Sequence, residues 1–230
     1  MRLFFSVVWA VAEKDLRAEW RARESLALML VFALLVLTLF SFAFGPGGGG
    51  RGEEAGAVQA GILWVAFLFA SVIGLSRSMS MERESEGFAA MRLSPADPSA
   101  LFLGKMIAAL LLLAVMEAAG FAALAVLYRA PVAAAAGPLA LVAAAATVGI
   151  ASVGTLFAAM SAQTRTREVL LPVLMFPLLV PVLIAAVKGT AAFLGGRGWP
   201  EAEDWVRLLV VYDVIFVVAS AMAFEFILSE

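Results

Sequence analysis

The sequence contains neither cysteine nor histidine. Without thiols there is no disulfide framework and no thiolate chemistry, and the usual zinc sites lose their ligands. A haem ligated by His or Cys of this chain is excluded as well, which leaves only Met or Tyr as axial ligands. Redox compartment cannot be read where cysteine is absent. Charge is also scarce: Asp, Glu, Lys and Arg make up 15% of the 230 residues, against roughly 25% in a soluble domain. Hydrophobic residues reach 63%, and mean hydropathy is +1.00. A soluble enzyme and a disordered tail are both excluded. At ~20 residues per span, six spans take about 120 residues and leave only short connections. The chain reads as an all-α polytopic membrane protein with six transmembrane helices. No catalytic residue, metal site or nucleic-acid partner is expected. The net charge of −2 says little, because sidedness outweighs the sum in a membrane protein.

Charged residues punctuate the spans. The first covers 26–44 and is broken by Gly45-Pro46 and the glycines beyond; the second covers 57–76 and closes at Arg77. The third, 101–128, is interrupted only by Lys105 and Glu117. The uncharged stretch from Arg129 to Arg165 is longer than one span needs, and Gly137-Pro138 marks the start of the fourth. The fifth, 169–187, carries Pro172, Pro177 and Pro181, each of which bends a helix by freeing a backbone carbonyl. The sixth runs over 206–228.

With both termini in the cytoplasm, the inner side holds Arg2, Lys14, Arg17, Arg21, Arg23, Arg77, Arg83, Arg92, Lys105, Arg165 and Arg167. The outer side holds Arg51, Arg129, Lys188, Arg197 and Arg207. This asymmetry satisfies the positive-inside rule. Residues 1–25 form an interfacial amphipathic helix ahead of a transmembrane domain over 26–230. Phe5, Val8, Trp9, Ala12, Leu16 and Trp20 share one face, with Lys14, Arg17 and Arg21 opposite. Such a helix lies at the headgroups with its tryptophans as anchors. The competing readings are a cleaved signal, suggested by Ala10-Val11-Ala12, and a solvated end.

The longest cytoplasmic connection is 77–99. Met81, Phe88 and Met91 form an apolar edge behind Glu82, Glu84 and Glu86, and Ser94-Pro95 ends a short helix. It is either a solvated loop or a docking helix that presents Phe88, Met91 and Leu93. Within the membrane, Glu117 calls for a partner, with Thr147, Ser152 and Thr155 as candidates; it is either a protonated interhelical donor or part of a translocation path. Asp213 lies nearer the outer end, within reach of Arg207 or water. Small residues at four-residue spacing, Ala143, Thr147, Ala151, Thr155 and Ala159, with Gly154, Ala158 and Ala162, serve bundle packing or a dimer seam. Outside, Gly195-Gly196-Arg197-Gly198-Trp199-Pro200 turns ahead of a short helix, with Trp199 and Trp205 at the interface.

Several strings resemble the CcmB family, the permease subunit of the cytochrome c maturation transporter. They are Lys14-Asp15-Leu16-Arg17 with Glu19, Phe40-Ser41-Phe42, and Gly61-Ile62-Leu63-Trp64. Arg77, Glu82 and Glu86 come next, then Leu93-Ser94-Pro95-Ala96-Asp97, Leu103-Gly104-Lys105, Tyr212-Asp213 and Phe224-Glu225. The fourth and fifth spans match mainly as proline-bearing hydrophobic stretches. The resemblance implies an ABC-2-like exporter permease whose interfacial helix carries Trp9, Lys14, Asp15, Arg17 and Trp20. It implies a coupling helix made by Glu82, Glu86, Gly87, Phe88, Met91, Leu93 and Pro95, and a re-entrant or interfacial piece before the last span. It further implies a bacterial inner-membrane complex with a separate ABC ATPase, a haem-handling membrane protein, a small membrane subunit, a periplasmic haem chaperone and two permease copies. This chain would bind no cofactor stably: haem is the possible substrate, and ATP is handled by the partner. No G-x-x-x-x-G-K-[ST] motif occurs, since Gly104-Lys105 is followed by Met106. The alternatives are a permease for a lipid, glycan or drug, and a non-transporting assembly scaffold.

Overall fold

The computed structural model describes residues 2–45, 53–84, 91, 93–163 and 167–229. Among these residues there are seven α-helices and no strand. They are α1 (Arg2–Ala22), α2 (Glu24–Phe44), α3 (Glu53–Glu84), α4 (Pro98–Leu127), α5 (Ala136–Gln163), α6 (Arg167–Leu194) and α7 (Trp199–Ser229). Helices α2 to α7 each contain a stretch long and apolar enough to cross a membrane. The expected six spans are present.

Local chemistry sets the helix ends. The turn from α1 into α2 passes through Arg23 in the left-handed region (φ 56°), and Glu19 Oε1 accepts from the Leu26 backbone N–H at 2.8 Å. One otherwise unpaired donor of the α2 N-terminus is thereby satisfied. Asp97 caps α4 by accepting from the Ser99 N–H at 2.8 Å, and Pro98 occupies the first turn, where its missing N–H costs nothing. A 3₁₀ turn over Ala133–Ala135 leads into α5, one residue ahead of Gly137-Pro138.

Two expectations change. Helix α6 runs on past the expected end of the fifth span at 187 to Leu194, and keeps helical backbone at Pro172, Pro177 and Pro181. Lys188 is exposed while Thr190, Ala191 and Ala192 are buried, so a long cationic side chain leaves the bundle without ending the helix. Beyond Leu194 the chain makes a tight turn rather than a re-entrant piece. Gly196 and Gly198 take φ of 76° and 71°, and the Arg197 and Gly198 N–H groups donate to the Ala192 carbonyl at 2.8 and 3.1 Å. Helix α7 then starts at Trp199 and continues unbroken through the sixth span.

Helices α3 and α5 form the buried centre, while α2 and α7 are largely exposed at the periphery. Lipid tails are as apolar as leucine, so close packing must hold such a bundle. Glycines supply the sockets. A Cβ on Gly74 would fall 2.3 Å from the Met29 sulfur, one on Gly120 2.3 Å from the Phe67 ring, and one on Gly154 2.4 Å from Leu75. Ala143, Thr147, Ala151, Thr155 and Ala159 are all buried within the chain, which makes that stripe packing rather than a seam between copies. Polar pins cross the bundle: Trp64 Nε1 donates to Thr190 Oγ1 at 2.9 Å, and the Tyr128 hydroxyl donates to the Leu37 carbonyl at 2.7 Å. Thr190→Val removes the acceptor of a fully buried indole N–H, a loss of about 1–3 kcal/mol. Thermal unfolding in detergent should show a lowered midpoint, with Trp64→Phe in the same background costing much less than it does alone.

Candidate functional site

Four charges from three helices meet where α1 lies against the bundle. Lys14 and Asp15 come from α1, Glu82 from the last turn of α3, and Lys105 from the second turn of α4. Lys14 Nζ is 2.8 Å from Glu82 Oε1 and 2.9 Å from Asp15 Oδ1. Lys105 Nζ is 3.2 Å from Asp15 Oδ2 and 3.0 Å from Glu82 Oε2. The two ammonium groups and two carboxylates balance. The Lys105 side chain is 2% exposed, so its charge is tolerable only because both carboxylates answer it. Lys14, at 54%, closes the cluster from outside. Burial works against the Lys14 ammonium, but Asp15 and Glu82 outweigh it and hold its pKa above the ordinary lysine value.

The residue before Lys105 explains how α1 comes close enough. A Cβ on Gly104 would fall 2.7 Å from Val11 Cβ and 2.7 Å from the Val8 carbonyl oxygen. Only glycine permits this approach, and the next residue supplies the cation. Helix α1 is consequently three-sided rather than two-sided. Val8, Ala12 and Glu19 are buried against the protein with Asp15 beside them, whereas Phe5, Trp9 and Trp20 remain exposed. Arg17 pairs with Glu13 on the polar side.

The connection from α3 to α4 leaves directly from this cluster. Glu82 is turned inward among the four charges, so its carboxylate does not present an open surface. Glu86, Gly87 and Phe88 lie outside the described residues. Met91 is helical and buried in the core, while Leu93 is 87% exposed and Pro95 is exposed too. Of the described residues assigned to coupling, Leu93 and Pro95 therefore form the outward part. Ser94 Oγ accepts from the Ala96 N–H at 3.2 Å, and the Asp97 cap comes directly after.

Inside the bundle, Glu117 selects Thr147 from its three candidate partners. Both carboxyl oxygens lie 2.7 Å from Thr147 Oγ1, which is also 2.6 Å from the Ala143 carbonyl. One hydroxyl proton cannot serve both neighbours, so both contacts are hydrogen bonds together only when Glu117 carries the second proton. Ser152 instead donates to the Gly149 carbonyl at 3.0 Å. Asp213 is not paired with Arg207, which is taken by Glu203 at 2.8 Å and Asp204 at 3.6 Å. Its Oδ1 is buried at Gly149, without a hydrogen-bond partner among the described residues. Tyr212 next to it donates to the Leu178 carbonyl at 2.9 Å, one residue beyond the carbonyl that Pro181 leaves without its usual donor.

Sequence reasoning underrated Gly104, Lys105 and Glu19 as parts of this site. The available signal was a lysine inside an apolar run, which demands a partner, but the run itself does not name one.

The fold and this cluster define a polytopic α-helical membrane protein whose longest inter-span connection is anchored on buried ion pairs. A family comparison matches residues 6–229 to the family described as CcmB protein, and the chain belongs to that family. Membership makes it a transmembrane permease component of the ABC-transporter type, associated with haem export and cytochrome c-type biogenesis, and not itself an enzyme. Comparison with curated proteins finds no match.

Lys105→Met leaves two carboxylates facing the single, half-exposed Lys14. It should destabilise the chain by about 3–5 kcal/mol and expose the α1 basic residues to trypsin. Lys105→Met combined with Glu82→Gln, which restores neutrality, should recover much of that loss in thermal unfolding.

Proposed function

We propose that this chain is the membrane subunit through which a separate ATPase drives haem export or delivery during cytochrome c maturation. The family match over nearly the whole chain carries the reading. In it, the protein lies in a bacterial inner membrane with both termini cytoplasmic, α1 in the headgroup plane, and the connection from α3 to α4 facing the ATPase. A coupling element needs a firm base and an accessible tip. The charge cluster at Glu82 and the capped start of α4 suit the base, and Leu93 with Pro95 suits the tip. ATP binding moves a permease only if the ATPase contacts its states differently; a connection clamped on α1, α3 and α4 passes such a difference into three helices at once.

Haem enters this reading as transient cargo. A chain without His or Cys suits brief passage, or transmission of motion to a haem-holding partner, better than stable ligation. The partners in this reading are the ATPase, a haem-handling membrane protein, a small membrane subunit and a periplasmic haem chaperone, with two permease copies in the complex.

Gentle detergent purification of a tagged chain from its native host, with mass spectrometry and an absorbance spectrum of the product, tests this. An ATPase and a haem-binding membrane protein should come with it. Leu93→Asp should cut the recovered ATPase by roughly tenfold, the scale of losing one central apolar contact, and leave the permease folded. Full ATPase recovery with Leu93→Asp would remove this tip from the interface, and an ATPase without any haem protein would point to another substrate.

A further inference from the structure

Helix α1 and the outer face of α4 enclose an apolar groove of about 540 Å³, lined by Trp9, Ala12, Leu16, Trp20 and Leu111, with Glu13, Arg17 and Arg21 also at its wall. A second concavity of about 600 Å³ opens beside Lys14, and Arg17 and Arg21 line both. The two arginines thus stand at the boundary between an apolar cleft and a polar one. Their charges are unequally committed. Arg17 pairs with Glu13, and Lys14 is held by Asp15 and Glu82, while Arg21 has no ion-pair partner among the described residues. Among the described residues the rim therefore carries one positive charge without an ion-pair partner.

We propose that this corner is a seat for one anionic phospholipid, its phosphate held between Arg17 and Arg21 and an acyl chain lying in the groove against Leu111. The groove wall favours a lipid over a polypeptide. Leu111 is 42% exposed and lies in a stretch of α4 with no charge between Lys105 and Glu117, so the wall belongs to a hydrocarbon-facing span. Trp9 and Trp20, 65% and 74% exposed, flank the groove as aromatic rings do at headgroup depth. Arginine at the rim supplies a planar fork for phosphate oxygens, matching the charge of the headgroup. A lipid there would brace α1 against α4 from the membrane side, as the charge cluster does from the other. The proposal needs only the membrane-spanning fold and does not depend on haem as cargo.

The full chain in mild detergent is offered phosphatidylglycerol and phosphatidylcholine of identical acyl chains at equal concentration, and retained lipid is counted by native mass spectrometry. One phosphatidylglycerol per chain should be kept with roughly fivefold preference, the scale of one uncompensated arginine charge acting on an anionic headgroup. R17Q/R21Q should reduce that preference to near parity. L111W, which fills the groove and leaves both arginines, should lose the bound lipid altogether. Elution volume and thermal midpoint report whether each variant is folded, and Arg17, with a side chain 77% exposed, can be replaced without disturbing the core. Equal retention of the two lipids by the unaltered chain, or an unchanged preference in R17Q/R21Q, would overturn the proposal. So would a groove filled by a co-purifying polypeptide with no lipid retained.

Discussion

A buried ammonium group governs the architecture at one end of this bundle. Lys105 is almost wholly enclosed, and an ion removed from water must be answered by opposite charge at hydrogen-bonding distance. The two carboxylates that answer it come from different helices, Asp15 on α1 and Glu82 on α3. That single requirement sets the register of three elements. Gly104 permits the contact by removing the Cβ that would strike the Val8 carbonyl and Val11. Glu19, one turn beyond Asp15, completes the attachment by satisfying a backbone donor at the start of α2.

The consequence for function is geometric. The connection between α3 and α4 is rooted on both sides, at Glu82 by ion pairs and at Asp97 by a helix cap. In the proposed coupling role, a force applied at Leu93 or Pro95 would reach the helices on which the two ends are fixed. The same cluster ties in α1, the amphipathic element whose apolar and basic residues converge at the proposed lipid seat. Transmission from a nucleotide-driven partner and sensitivity to the surrounding lipid would then share one joint.

Deeper in the bundle the stabilising logic differs. Glycine sockets for Met29, Phe67 and Leu75 let helices approach where water-driven burial no longer operates. Isolated polar pairs, Trp64 with Thr190 and Glu117 with Thr147, add direction at little cost because each group finds its partner internally. Asp213 stands apart, with one buried oxygen beside Gly149 that finds no hydrogen-bond partner among the described residues.

Much of this was legible in the linear chain. The six spans, the all-helical class and the start of α5 within a residue of Gly137-Pro138 come from hydropathy and punctuation, because transfer into hydrocarbon is nearly a residue-by-residue sum. The absence of His and Cys excluded disulfides, thiolate chemistry and haem ligation by those residues, and the strings around Asp15, Glu82 and Gly104-Lys105 carried the family. What the chain could not specify by itself was pairing. Glu117 announced a need for a partner and three residues qualified, Lys105 stood in an apolar run with no partner named, and only the packing of α1, α3, α4 and α5 selected Thr147, Asp15 and Glu82. The same holds for α1: periodicity described two faces, and docking on Gly104 created a third. The turn at 195–200 was legible from its glycines and proline, whereas the re-entrant or interfacial piece that the resemblance implied gives way to direct passage from α6 into α7, which only the tertiary structure shows. Hydropathy depends on what a residue is, whereas partnership depends on which faces meet, and that is fixed only in three dimensions.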